Sequence, residues 1–80
     1  MQNFDVISQF RVEITSLKIS RRYRIVIGIH PCDGEKKSYW VETYLPNSRI
    51  WIKEFKYARW STMDELFKSN EFKCIMFAKL

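Results

Sequence analysis

The sequence predicts an α+β fold, a bent and mostly antiparallel sheet of four or five strands with one short helix, in the order β-β-β-β-α-β. Three observations support this prediction. Apolar and polar residues alternate with a period of two along much of the chain, which is typical of half-buried strands. Asp33-Gly34 supplies a sharp turn, because Gly tolerates positive φ. Ser61 and Asp64 precede apolar residues at helical spacing, which indicates a capped helix start. With 80 residues, we expect a single domain over 1–80.

The first two strands are predicted from alternation. The apolar residues of the first strand share one face and are Phe4, Val6, Phe10, Val12 and Ile14. Near Ser16 the phase slips, which a bulge or bend would explain. Ser20–Arg22 is then a polar connection to a second strand, Tyr23–His30.

A third strand is predicted at Ser38–Leu45, and a long fourth strand at Arg49–Trp60 follows a turn at Pro46–Ser48. Between the second and third strands, we expect Tyr39 opposite Ile29 and Trp40 opposite Gly28. The expected pairs between the third and fourth strands are Leu45 with Ile50, Tyr44 with Trp51, Glu42 with Lys53 and Trp40 with Phe55.

The carboxyl-terminal part is predicted as a helix of about ten residues from Ser61 to Asn70, with Met63, Leu66 and Phe67 on its apolar side. The last segment, Phe72–Leu80, alternates in a way that fits a strand buried on both sides, and a helix is the alternative. We predict the strand.

The net charge indicates the kind of partner that the protein would bind, and the cysteine content indicates the cellular compartment. Fourteen Lys and Arg against nine Asp and Glu give a net charge of +5, which favours polyanionic partners. Cys32 and Cys74 form no C-x-x-C motif, and no signal peptide or membrane-spanning apolar run is visible. We therefore expect a cytoplasmic protein with free, mostly buried thiols and no membrane association.

Aromatic and basic side chains concentrate on one predicted sheet face, which one short helix is too small to cover together with the other face. A surface of this kind suits nucleic acid, because bases stack on aromatic rings and cations bind phosphates. The candidate binding residues are Arg22, Arg24, Trp40, Tyr44, Arg49, Trp51, Lys53, Phe55 and Arg59. The alternative is that these aromatics form core or a homodimer interface, with the basic residues at its rim.

Candidates for catalysis or metal binding are few. His30 is the single histidine, and with Cys32 and Asp33 it forms too small a donor set for a metal site. We predict no enzyme activity, cofactor or metal. The predicted function is nucleic-acid binding, and the alternative is a protein-interaction factor, such as an inhibitor or accessory subunit, that docks on an acidic protein surface. In either case we expect a homodimer that forms through the aromatic sheet face or through an edge strand.

One segment resembles a known family. Glu54 to Leu66, E-F-K-Y-A-R-W-S-T-M-D-E-L, is similar to the segment near the end of Nudix hydrolases, where a strand with Arg-Trp leads into a helix that opens with Asp-Glu-Leu. The resemblance implies a strand-to-capped-helix junction. The metal-binding box of that family, G-x5-E-x7-R-E-x2-E-E-x-G, is absent, so the resemblance assigns no hydrolase residues.

Overall fold

The computed structural model describes residues 4–30 and 34–77, and it confirms the α+β fold class. The strands are β1 (Phe4–Ile14), β2 (Ile19–Ile29), β3 (Lys37–Leu45) and β4 (Ile50–Lys53), and a short 3₁₀ helix (Thr15–Leu17) joins β1 to β2. Two helices follow, α1 (Met63–Lys68) and α2 (Asn70–Met76). The strands form one antiparallel sheet in the order β1-β2-β3-β4.

The hydrophobic core lies on one face of this sheet, which we call the helix face because both helices contribute to the core. Leu66 of α1 and Ile75 of α2 are buried against residues of the three longer strands. These strand residues are Val12, Tyr23, Ile25 and Val41. The burial of apolar area on this face is therefore the main contribution to stability.

A bulge in β1 moves part of the strand to the other face. The register shifts between Val6 and Ser8, so Phe4 lies opposite Gly28 whereas Phe10 lies opposite Tyr23. The prediction that the five apolar residues of β1 share one face is wrong, because the extra residue reverses the alternation.

The chain reverses direction near Ser16, where the sequence predicted only a slip within a strand. The 3₁₀ helix and the positive φ of Lys18, 54°, complete this turn. The predicted connection at Ser20–Arg22 is wrong, because these residues pair with Arg11–Glu13 inside the β1–β2 ladder. The long hairpin thus places their side chains on the sheet.

The faces of β2 and β3 are as predicted, although their register is shifted. Ile27 lies opposite Tyr39 and Val26 opposite Trp40, two residues away from the predicted pairing. A shift of two residues preserves the faces, because the side-chain period is also two. For β3 and β4, the predicted pairing of Leu45 with Ile50 is confirmed, and with it those of Tyr44 with Trp51 and Glu42 with Lys53.

The predicted strand Arg49–Trp60 is wrong, because only Ile50–Lys53 forms β4. Arg49 and Phe55 have positive φ values of 56° and 55°, and the chain leaves the sheet after Glu54. It returns at Trp60, which exchanges two backbone hydrogen bonds with Tyr39, of 2.8 and 2.9 Å. A straight continuation would place Lys56 against the core, whereas the excursion places Trp60 there.

The helix start is confirmed with its cap moved by one residue. Thr62, not Ser61, is the N-cap of α1, and its side chain accepts a 3.1 Å hydrogen bond from the backbone N–H of Glu65. Glu65 Oε2 in turn accepts from the N–H of Ser61 at 3.1 Å. Of the strand-to-capped-helix junction that the Nudix resemblance implies, the capped helix start is present. The strand before it is absent, because β4 ends at Lys53 and Trp60 forms only an isolated bridge with Tyr39.

The predicted strand Phe72–Leu80 is wrong over its described part, where the chain forms α2; residues 78–80 lie outside the described residues. The side chain of Ser69 ends one helix and begins the next. Its hydroxyl donates to the carbonyl of Leu66 at 2.6 Å and accepts from the N–H of Phe72 at 3.1 Å. The helix then places Phe72 and Ile75 together on the core.

Candidate nucleic-acid interface

The sheet face opposite the helix face carries most of the predicted binding residues. We call it the aromatic-basic face and define it by neighbouring side chains from β2, β3 and β4. These are Arg22, Arg24, Trp40, Glu42, Tyr44, Trp51 and Lys53. Direct pairing of Arg24 with Glu42, of Glu42 with Lys53 and of Tyr44 with Trp51 brings them together.

The centre of this face is a buried polar group. Glu42 Oε1 accepts from Arg24 Nε at 2.7 Å and from its Nη2 at 2.6 Å, while Oε2 accepts from Trp40 Nε1 at 2.9 Å. Trp40 is only 3% exposed, so it supports the face from below and is inaccessible to a ligand. The carboxylate is neutralised within the face, and the cations around it determine the charge that a partner meets.

Cations lie over aromatic rings along the rim of the face. The guanidinium of Arg22 lies 4.7 Å from the centroid of Tyr44 and 5.5 Å from that of Trp51, and Arg24 lies 4.4 Å from Trp51. Lys53 Nζ lies 5.2 Å from the Trp40 ring. Arg22 is exposed, and Tyr44 and Trp51 are partly exposed with ring centroids 5.1 Å apart. These cation–π contacts hold the rings and charges in place before any ligand arrives.

Three predicted residues lie away from this face. Arg49 is exposed in the turn before β4, and Phe55 is 36% exposed in the excursion after it. Arg59 donates from Nη1 to the carbonyl oxygen of Tyr57 at 3.0 Å, in the same excursion. The structure therefore brings together Arg22, Arg24, Tyr44, Trp51 and Lys53, with Trp40 beneath them.

Two residues that the sequence did not indicate belong beside the face. Arg11 on β1 lies directly opposite Arg22 and is exposed, which extends the positive charge by one strand. Phe4 reaches the same face because of the bulge, and the Arg24 guanidinium lies 5.1 Å from its ring. Locating the β1–β2 turn at Thr15–Lys18 would have identified Arg11.

A cleft adjoins the face where β2 and β3 diverge. The last paired residues are Tyr23 and Thr43, and beyond them Ile19–Arg22 and Tyr44–Pro46 line a space of about 580 Å³ with Arg11. Thr43 Oγ1 donates to the carbonyl oxygen of Arg22 at 3.2 Å. No residue of the described chain that lines the cleft is acidic.

The groups considered for metal or redox chemistry are dispersed. His30 is 2% exposed, with its ring edge-on to Trp40 at 5.5 Å, whereas Cys32 and Asp33 lie outside the described residues. Among residues 4–30 and 34–77, no three His, Cys, Asp or Glu side chains are grouped as metal ligands. Cys74 is a free thiol and exposed, which corrects the expectation that it is buried.

Comparisons with models of protein families, with curated proteins and with solved structures each give no match. The described helices include none with the length and apolar character needed to cross a bilayer. The geometry and charge of the aromatic-basic face are therefore the observations from which a function can be inferred.

Proposed function

We propose that the protein is a non-enzymatic module that binds single-stranded nucleic acid through the aromatic-basic face. The observation that carries this proposal is the exposed guanidinium of Arg22, placed over the partly exposed rings of Tyr44 and Trp51. Cations that neutralise phosphates and aromatic rings on which bases stack are the two features that single-stranded nucleic acid requires of a binding surface.

Phosphate binding is supported by the balance of charge on the face. Glu42 is the acid at its centre, and Arg24 and Trp40 already satisfy its two oxygens. Arg22 and Lys53 lie on either side of this centre and Arg11 lies one strand further out, and none of the three makes an ion pair with the described residues. Neutralisation of phosphates by such cations releases counterions and supplies most of the affinity for nucleic acid.

Base contacts are supported by Tyr44 and Trp51. Each stacked base contributes about 1–3 kcal/mol, and the plane of an arginine guanidinium is also a stacking surface. Bases in a duplex are already stacked on their neighbours and shielded from such rings. We therefore propose a single strand as the ligand.

Fluorescence anisotropy with a labelled oligothymidine of about 12 nucleotides tests this proposal. We expect binding that weakens steeply as NaCl rises from about 50 to 200 mM, because each neutralised phosphate adds about 0.7 to the slope of the logarithmic salt dependence. A blunt duplex of equal length should bind more weakly. Equal affinity for duplex and single strand would contradict the base contacts.

Variants assign the binding to the face. Trp51→Ala should lower affinity about tenfold through the lost stacking surface. Arg22→Gln should lower affinity and reduce the salt slope by about one phosphate, while Arg22→Lys should restore the slope and leave part of the affinity loss. Lys73→Gln, on the exposed side of α2, removes one charge at a distance and is the matched control. Equal losses of affinity for Arg22→Gln and Lys73→Gln would show that binding depends on the net charge of the protein and not on the aromatic-basic face.

An acidic protein surface is the second candidate, because the same cations and rings form the typical centre of a protein interface. Such binding would depend on Trp51, Tyr44 and Arg22 as hot spots, and it would weaken less steeply with salt than nucleic-acid binding, because no condensed counterions are released. We further propose a homodimer, and the cytoplasm as its location. The free Cys74 thiol supports the location, because an exposed cysteine persists most readily in a reducing compartment.

A further inference from the structure

Strand β1 forms one edge of the sheet and is eleven residues long. One side of its backbone pairs with β2, and no other strand of the described chain pairs with the other side. Long edge strands of this kind template the addition of a further strand. The bulge between Val6 and Ser8 disrupts the first part of the edge, so Ser8–Ile14 is its regular part.

Two β1 strands can pair with each other in antiparallel registers that differ in the residue on the two-fold axis, and the bulge and the charges together distinguish these registers. A two-fold axis at Arg11 places this residue against itself, and an axis at Ser8 runs the pairing through the bulge. An axis at Phe10 leaves Glu13 opposite the bulge residue Ile7. An axis at Val12 places Arg11 opposite Glu13 twice, once on each side of the axis.

We propose that a second copy of this chain pairs with the first along β1, antiparallel, with the two-fold axis at Val12. Arg11 and Glu13 are exposed, share one face of β1 and make no ion pair with other described residues. Phe10 and Ile14 lie opposite each other on the helix face in this register, as alternation along the strand requires. The paired segment is Phe10–Ile14.

The partner's carboxylate also relieves a like-charge contact within each copy. Arg11 lies directly opposite Arg22 across the β1–β2 ladder, and Glu13 lies opposite the uncharged Ser20. Like charges at such positions are destabilising. The partner copy's Glu13 brings a negative charge beside this arginine pair, so each interface contact also stabilises its own sheet.

Sedimentation equilibrium from about 1 to 300 μM on the full chain tests this proposal, since dimers of modest interface dissociate in this range. We expect Glu13→Arg to raise the dissociation constant of the dimer by roughly ten- to hundredfold, because two attractive pairs become repulsive. The double variant R11E/E13R should restore the dimer, since it exchanges the charges and keeps their complementarity. Glu35→Arg, in the exposed β2–β3 turn, is the charge-matched control.

Several results would overturn the proposal. These are a monomer at every concentration, a dimer that Glu13→Arg leaves intact, or a loss that R11E/E13R fails to restore. Far-ultraviolet circular dichroism verifies that each variant is folded. Amide exchange provides an independent measurement, because the outward N–H groups of Phe10–Ile14 should exchange more slowly as the dimer forms. Unchanged exchange in a dimeric sample would place the interface elsewhere.

Discussion

At the residue scale, Glu42 connects the stability of the sheet to the chemistry of its surface. Glu42 is 6% exposed and its carboxylate binds Arg24 and Trp40, so it fixes the cation that lies over Trp51. We expect Glu42→Ala to lower the free energy of unfolding by about 3 kcal/mol, because a half-buried guanidinium and a buried indole N–H lose their acceptor. Urea denaturation measures this loss.

The matched comparison is the exposed ion pair of α1, between Lys68 and Asp64 at 3.0 Å. Lys68→Ala should cost no more than about 0.5 kcal/mol, because water screens this pair. Equal costs for Glu42→Ala and Lys68→Ala would show that the Glu42 cluster adds no more stability than a surface ion pair.

The sequence predicted residue types on the face better than their exposure. Alternation placed Arg22, Arg24, Tyr44, Trp51 and Lys53 on one side, because the side chain of every second residue points the same way. It also predicted that Trp40 would contact a ligand, whereas the indole is buried and donates a hydrogen bond to the Glu42 carboxylate. That burial depends on Phe4, His30 and Lys53, which meet Trp40 only after folding.

At the element scale, Ser69 stabilises two helices that are too short to persist alone. Its hydroxyl contacts the last turn of α1 and the first turn of α2. We expect Ser69→Ala to destabilise the protein by about 1–2 kcal/mol through the lost N-cap, and thermal unfolding measures this change. Ser16→Ala, in the exposed β1–β2 turn, is the control. A loss no larger than that of the control would show that the cap is dispensable.

Strands and helices were predictable from the sequence where residues close together in the chain determine the structure. The β3–β4 register followed from the short turn after Leu45, and the start of α1 from its capping residues. Phe72–Met76 could be either strand or helix from its pattern alone, and packing of Phe72 and Ile75 on the sheet decided for helix. The positive φ of Phe55 could not be predicted from the sequence, because it depends on the backbone hydrogen bonds that Trp60 forms with Tyr39 in the folded chain.

At the scale of the whole molecule, the proposed β1–β1 dimer would join two aromatic-basic faces into one binding surface. A two-fold axis perpendicular to the sheet keeps equal faces on the same side, so both aromatic-basic faces would lie on one eight-stranded sheet. Strand spacing of about 4.8 Å makes that sheet roughly 34 Å wide. The paired β1 strands place the Arg22 side chains of both copies near its centre, on either side of the two Arg11–Glu13 pairs.

This arrangement predicts a dependence on the length of the nucleic acid. An oligonucleotide of about 20 nucleotides should bind the dimer at least tenfold more tightly than one of about 8 nucleotides, because the second face then binds at high local concentration. The Glu13→Arg monomer should show little difference between the two lengths. Anisotropy titrations of both proteins measure this difference. An equal length dependence in the Glu13→Arg monomer would show that tighter binding of the longer oligonucleotide does not require the dimer.

The bulge in β1 has a consequence for how the domain tolerates change. Ile7 is the extra residue that allows β1 to contribute side chains to both faces of the sheet. Phe10 and Val12 pack on the helix face, whereas the ring of Phe4 lies against Arg24 on the aromatic-basic face. Deletion of Ile7 would move the side chains of the residues before it in β1 to the opposite face of the sheet. Length variation is therefore expected to be excluded at this point, even where the identity of the side chain is free to vary.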